Sequence, residues 1–102
     1  MAKKIMNIPY NGMDFQLCVS HVRNALMRCG WAITADNPPY GICASVSISF
    51  LSWGENIEIH FYQECFSVQS ASVMPLQIFD WGKNNSNLRK FAAAYNASCA
   101  GM

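Results

Sequence analysis

Two histidines and five cysteines are the residues of this 102-residue chain most capable of chemistry. Glu58, His60 and Tyr62 alternate along one stretch, so on a strand all three share a face. A carboxylate beside an imidazole beside a phenol could orient a general base. The same spacing is also the ordinary make-up of a solvated strand face, and that is the reading adopted. Cys18 and His21 stand one helical step apart, a pairing that suits a metal. Structural zinc takes four ligands, and no second pair repeats the spacing, so no metal site is expected. His21 has no carboxylate three or four residues away and is expected at the helix boundary, near the surface. Neither a G-x-S-x-G elbow, a phosphate loop nor a G-x-G-x-x-G turn occurs. No catalytic residue and no cofactor are therefore assigned, and the chain reads as non-enzymatic.

The cysteines, Cys18, Cys29, Cys43, Cys65 and Cys99, are odd in number and contain no C-x-x-C pair. Each sits in an apolar pattern. Cys18 and Cys29 fall on one expected helix about 16 Å apart along its axis, too far for a disulfide, which needs Cα atoms within about 7 Å. Small buried thiols in a reducing compartment are the expectation.

The elements that would position these groups follow from periodicity. Residues 3–8 read as a strand closed by Pro9 and the Asn11-Gly12 turn. Asp14 is placed to cap a helix that runs to about Cys29 and stops at Gly30. Its apolar stripe is Phe15, Cys18, Val19, Val22, Ala25, Leu26 and Cys29. A strand at 31–35 is followed by a Pro-rich turn. Then Ile42, Ala44, Val46, Ile48 and Phe50 alternate with Cys43, Ser45, Ser47 and Ser49, the pattern of a half-buried antiparallel strand. Trp53-Gly54-Glu55-Asn56 is read as the turn into a strand carrying Ile57, Ile59 and Phe61. A further strand spans about 66–73 with Phe66 and Val68 inward, and Pro75 interrupts it. After Gly82, with Asn84, Asn85 or Ser86 as cap, a second helix presents Leu88, Phe91, Ala92, Tyr95 and Cys99. The order is β-α-β-β-β-β-α, an α+β fold with a curved antiparallel sheet and both helices on one face, forming a single domain over residues 1–102.

With the elements in place, one series of residues resembles a known group. Gly30-Trp31-Ala32-Ile33, Glu55-Asn56-Ile57-Glu58-Ile59, Ser70-Ala71-Ser72, Asp80-Trp81-Gly82-Lys83-Asn84 and Asn87-Leu88-Arg89-Lys90-Phe91 look like the DUF1499 group of uncharacterised bacterial proteins and its small relatives. There a strand ending in "SAS" precedes "D-x-G-x-N" and a closing helix. Gln69 and Val73 stand where that group commonly carries arginines. The resemblance implies a TBP-like, helix-grip architecture and no assigned activity. Asp80, Trp81, Gly82 and Asn84 straddle the start of the last helix. Short polar side chains there can satisfy its free N–H groups, or those groups can hold a small ligand.

Composition bounds the partners. Seven basic against six acidic residues give a formal charge of +1, which leaves no field for nucleic acid. No run approaches the roughly 18 apolar residues of a membrane span, and no apolar leader follows Lys3-Lys4, so a cytoplasmic location is expected. Two uses of the fold remain. One is a binding or protein-interaction domain that self-associates, as a homodimer, through a sheet edge or the polar outer face. The other is a helix-grip carrier of a small apolar ligand, its pocket lined by Val19, Val46, Ile59, Phe61, Phe91 and Tyr95.

Overall fold

The computed structural model of the chain describes residues 3–47, 54–73 and 82–101. Among these, the order is β1 (Lys3–Pro9), α1 (Phe15–Arg28), β2 (Ala32–Asn37), β3 (Gly41–Val46), β4 (Glu55–Phe61), β5 (Cys65–Ser72) and α2 (Lys83–Ala100). The strands form one antiparallel sheet in the order β1-β5-β4-β3-β2, so the first strand lands beside the last and β1 and β2 are the edges. The expected α+β class and element order are those observed. Expected residues 48–53 and 74–81, including Phe50, Trp53, Asp80 and Trp81, lie outside the described residues.

Local chemistry accounts for α1. Asp14 accepts a hydrogen bond from the Leu17 amide at 3.2 Å, satisfying one of the helix's unpaired donors. At the far end Gly30 adopts φ +77°, and the amides of Gly30 and Trp31 return to the carbonyls of Met27 and Leu26. That pair of bonds is the glycine-terminated helix end. The stripe between is buried as expected, from Cys18 through Val22 to Leu26. Arg23 departs from the polar side of α1 to grip Asp36 of β2 with two bonds of 2.9 Å.

Both helices cover one face of the sheet, α2 lying over β5 and β1 and against α1. Phe66 of β5 is the hub. Its ring meets Tyr95 at 5.2 Å and Phe91 at 6.3 Å, both edge to face. Ile42, Ala44, Ile57, Ile59 and Val68 complete the floor, with Val22 and Leu26 above them. Each fully buried side chain of this size contributes about 1.5–3 kcal/mol. No helix among the described residues is long and apolar enough to cross a membrane.

Four expectations need correction. Glu55 is not a turn residue: it is the first residue of β4 and wholly buried, and Gly54 before it, at φ +102°, accepts from the Val73 amide at 3.0 Å in continuation of the β4–β5 ladder. Asn84 does not cap α2, nor do Asn85 or Ser86. Gly82 occupies that position in the left-handed conformation, without a side-chain bond, and Asn84 faces the sheet. His21 is not at the surface but buried between the helices, because α2 packs over that side of α1. β2 also extends two residues further than expected, to Asn37, and carries an irregularity between Ile33 and Ala35.

Candidate functional site

Where α2 begins, five polar side chains lie under it, all at most 2% exposed: Glu55, Ser70, Ser72, Asn84 and Asn87. Strand alternation aims Ser70 and Ser72 at the helix, and the 84-to-87 step puts both asparagines on its lower face. Asn87 Nδ2 donates to Glu55 Oε1 at 2.8 Å and to Ser70 Oγ at 3.1 Å. Ser70 Oγ donates to Asn84 Oδ1 at 2.7 Å, and Asn84 Nδ2 reaches Ser72 Oγ at 3.5 Å. The donors run in file from the carboxylate of β4 to the end of β5. Buried polar groups are tolerated only when bonded in this way, and a connected set specifies one arrangement of helix on sheet. The serines of "SAS" and the asparagines after "D-x-G" thus meet, and Glu55 joins them. The cluster is buried, and its bonds join α2 to β4 and β5 as a lock between helix and sheet.

A second polar cluster lies between the helices. Tyr95 OH sits 3.5 Å from Cys18 Sγ and 3.9 Å from Met13 Sδ. Burial, and then contact with Cys18, pushes the Tyr95 phenol far above its ordinary value. Burial likewise pushes the Cys18 thiol up, which keeps it protonated and unreactive. One turn further on, His21 Nδ1 and Ser98 Oγ share a 2.7 Å bond, and Asn24 Nδ2 donates to the same oxygen at 2.8 Å. Asn24 occupies one lone pair of Ser98 Oγ, and either ring tautomer of His21 fits what remains, since the serine keeps a second lone pair and its own proton. The other ring nitrogen, Nε2, is buried without a hydrogen-bond partner among the described residues. All five cysteines are free thiols, and no three His, Cys, Asp or Glu side chains among the described residues are grouped to hold a metal ion.

On the outer face, Glu58 accepts from Gln69 Nε2, its cross-strand neighbour, at 2.8 Å. It does not orient His60, which is exposed, so the carboxylate–imidazole–phenol arrangement does not form. This face carries Cys43, Ser45, Asn56, Ser67 and Ala71 on β3, β4 and β5 beside the longer Glu58, His60 and Gln69; among the described residues no helix lies upon it, and Ser67 and Ala71 are themselves buried between their neighbours. A shallow hollow of about 430 Å³ lies on it between Thr34, Asn56, Gln69 and Val73.

Of the residues proposed to line a pocket, Val19, Val46, Ile59, Phe91 and Tyr95 belong to the packed core and Phe61 lies half-buried against it. Tyr95 also borders a surface hollow of about 560 Å³, together with Tyr10, Met13 and Cys99. Of the proposed ligand contacts, Asn84 is in the lock, Gly82 is the exposed start of α2, and Asp80 and Trp81 lie outside the described residues. Glu55 and Asn87 were missed as site residues. The signal available was a carboxylate and an amide at positions where the strand and helix periods call for apolar residues.

Comparison of the chain with protein-family models, curated proteins and solved structures yields no match.

Proposed function

We propose that this protein is a non-enzymatic binding module that self-associates through its sheet. The observation that carries this reading is that, among the described residues, the helices cover the five strands on one side only. The polar groups under the helices are turned on one another, whereas the outer face and the strand edges hold the accessible backbone and side chains. The outer face, where Cys43, Ser45 and Asn56 stand beside Glu58, His60 and Gln69, offers polar groups to another surface, and a formal charge of +1 opposes association little. Free thiols throughout agree with a reducing, cytoplasmic setting. The resemblance to the DUF1499 group, and with it the TBP-like label, is carried by the sequence of residues 30–33, 55–59, 70–72, 80–84 and 87–91, some of which build the lock.

Sedimentation equilibrium over a wide concentration series tests the reading. A reversible monomer–dimer equilibrium is expected. A strict monomer at every concentration would overturn it.

A further inference from the structure

Resting on that reading, we infer that the self-association uses one edge: β1 pairs antiparallel with β1 of a second copy about a two-fold axis at Met6. The two edges of the sheet are unlike. β2 has a register shift between Ile33 and Ala35 and runs into Pro38-Pro39, features that spoil a template for a further strand. β1 keeps unbroken register with β5 over all seven residues, from Lys3 opposite Ala71 to Pro9 opposite Cys65.

The direction of its free amides follows from the ladder. The Tyr10 amide donates to the Glu64 carbonyl at 3.1 Å, and this pair continues the β1–β5 register. In an antiparallel ladder the residues that bond to one neighbour alternate with those that do not. Lys4, Met6 and Ile8 therefore bond to β5, and Lys3, Ile5, Asn7 and Pro9 turn their backbone groups outward. On the other side of β5, the Tyr62 amide donates to the Cys65 carbonyl, which gives the same parity. Pro9, which has no N–H, falls on the outward set, the place where an edge tolerates proline.

A two-fold at Met6 opposes Lys3 with Pro9, Lys4 with Ile8 and Ile5 with Asn7. Every outward N–H then finds a carbonyl: Lys3 to Pro9, Ile5 to Asn7 and Asn7 to Ile5, three bonds from each copy. This register engages the whole strand. An axis at Lys4 would set lysine against lysine, and an axis at Ile5 would leave the Pro9 end unpaired. Charge favours the same choice. Lys3 and Lys4 occupy one end of β1, while exposed Glu64 and Asp14 lie at the other. The two-fold brings the basic end of each copy to the acidic end of its partner. It also covers Ile5, which is 57% exposed, by placing it diagonally across from the second Ile5.

Ile5→Pro tests this directly. It removes an outward amide from each copy while leaving the bonds of β1 to β5, and the dimer is expected to weaken more than about tenfold. Circular dichroism reports whether the variant is folded. Lys4→Glu provides the second arm. It is expected to weaken the dimer several-fold at low salt, with recovery when Glu64→Lys is added in the same chain. If the protein dimerises and both single variants dimerise as tightly as the parent, the edge is wrong and the outer face is the contact. A parent that never dimerises overturns this inference and the proposed function together.

Discussion

The two polar clusters under the helices are built from similar residue types and solve burial differently. At the start of α2, Asn87 spends both amide protons on Glu55 and Ser70, and Ser70 passes its own proton to Asn84. Between the helices, the partners of Tyr95 OH are sulfurs at 3.5 and 3.9 Å, and His21 Nε2 has no partner. Sulfur is a weak hydrogen-bond partner. The first cluster therefore holds the helix at one place on the sheet through a connected set of bonds, while in the second only the His21–Ser98–Asn24 group is firmly bonded and the Tyr95 end relies on the apolar packing around it. Position in the fold, more than residue type, decides which polar group is structural.

The sharpest way to break the contrast is Asn87→Ala. It removes a bond to a buried carboxylate and a bond to a buried serine at once, and a loss of about 2–4 kcal/mol in denaturant unfolding is expected. A loss below about 1 kcal/mol would mean the lock holds little. Alkali should act on the other cluster. The Cys18 and Tyr95 pKa values are raised above their ordinary 9.0 and 10.0, so the folded state favours the protonated forms. Their stabilisation is complete below about pH 9 and declines as the pH rises beyond it, when the unfolded chain ionises first. Thermal melts from pH 8 to pH 11 should show the midpoint falling, and less steeply in Cys18→Ala.

Smaller effects separate the clusters further. Ser98→Ala removes the common partner of His21 and Asn24 and should cost about 1–2 kcal/mol in the same unfolding assay. Gly82→Ala forces a Cβ into a left-handed position at the mouth of the lock, at φ +76°, and should cost about 1 kcal/mol. His21→Leu is expected to be nearly neutral, within about 1 kcal/mol, because it also deletes the orphaned nitrogen. A large loss there would show that the inter-helix cluster is as demanding as the lock.

Much of the fold was legible because it repeats a period. The alternation Ile42, Ala44, Val46 and the stripe Cys18, Val22, Leu26 each name an element and its buried face. Asp14 and Gly30 mark the ends of α1 by chemistry that acts within a few residues. The candidate site was less legible. Asn84 reads as a cap and Glu55 as part of a turn, because in isolation a short polar side chain beside a glycine satisfies local backbone. Each is instead satisfied by a residue far along the chain: Glu55 by Asn87, Asn84 by Ser70. His21 reads as a surface residue for the same reason, its partner Ser98 being 77 positions away.

Side-chain periodicity and the ends of α1 are local, and the amino-acid sequence by itself determined them: seven elements, their order, and the apolar faces of the helices and inner strands. The placement of β1 beside β5 was decided only in three dimensions, since it joins the first strand to the last and depends on how the intervening strands lie. With that placement came the burial of Glu55 under α2 and the edge that β1 leaves open. A hydrogen bond between distant residues has no period to betray it, and an edge exists only once every other strand has found its neighbours.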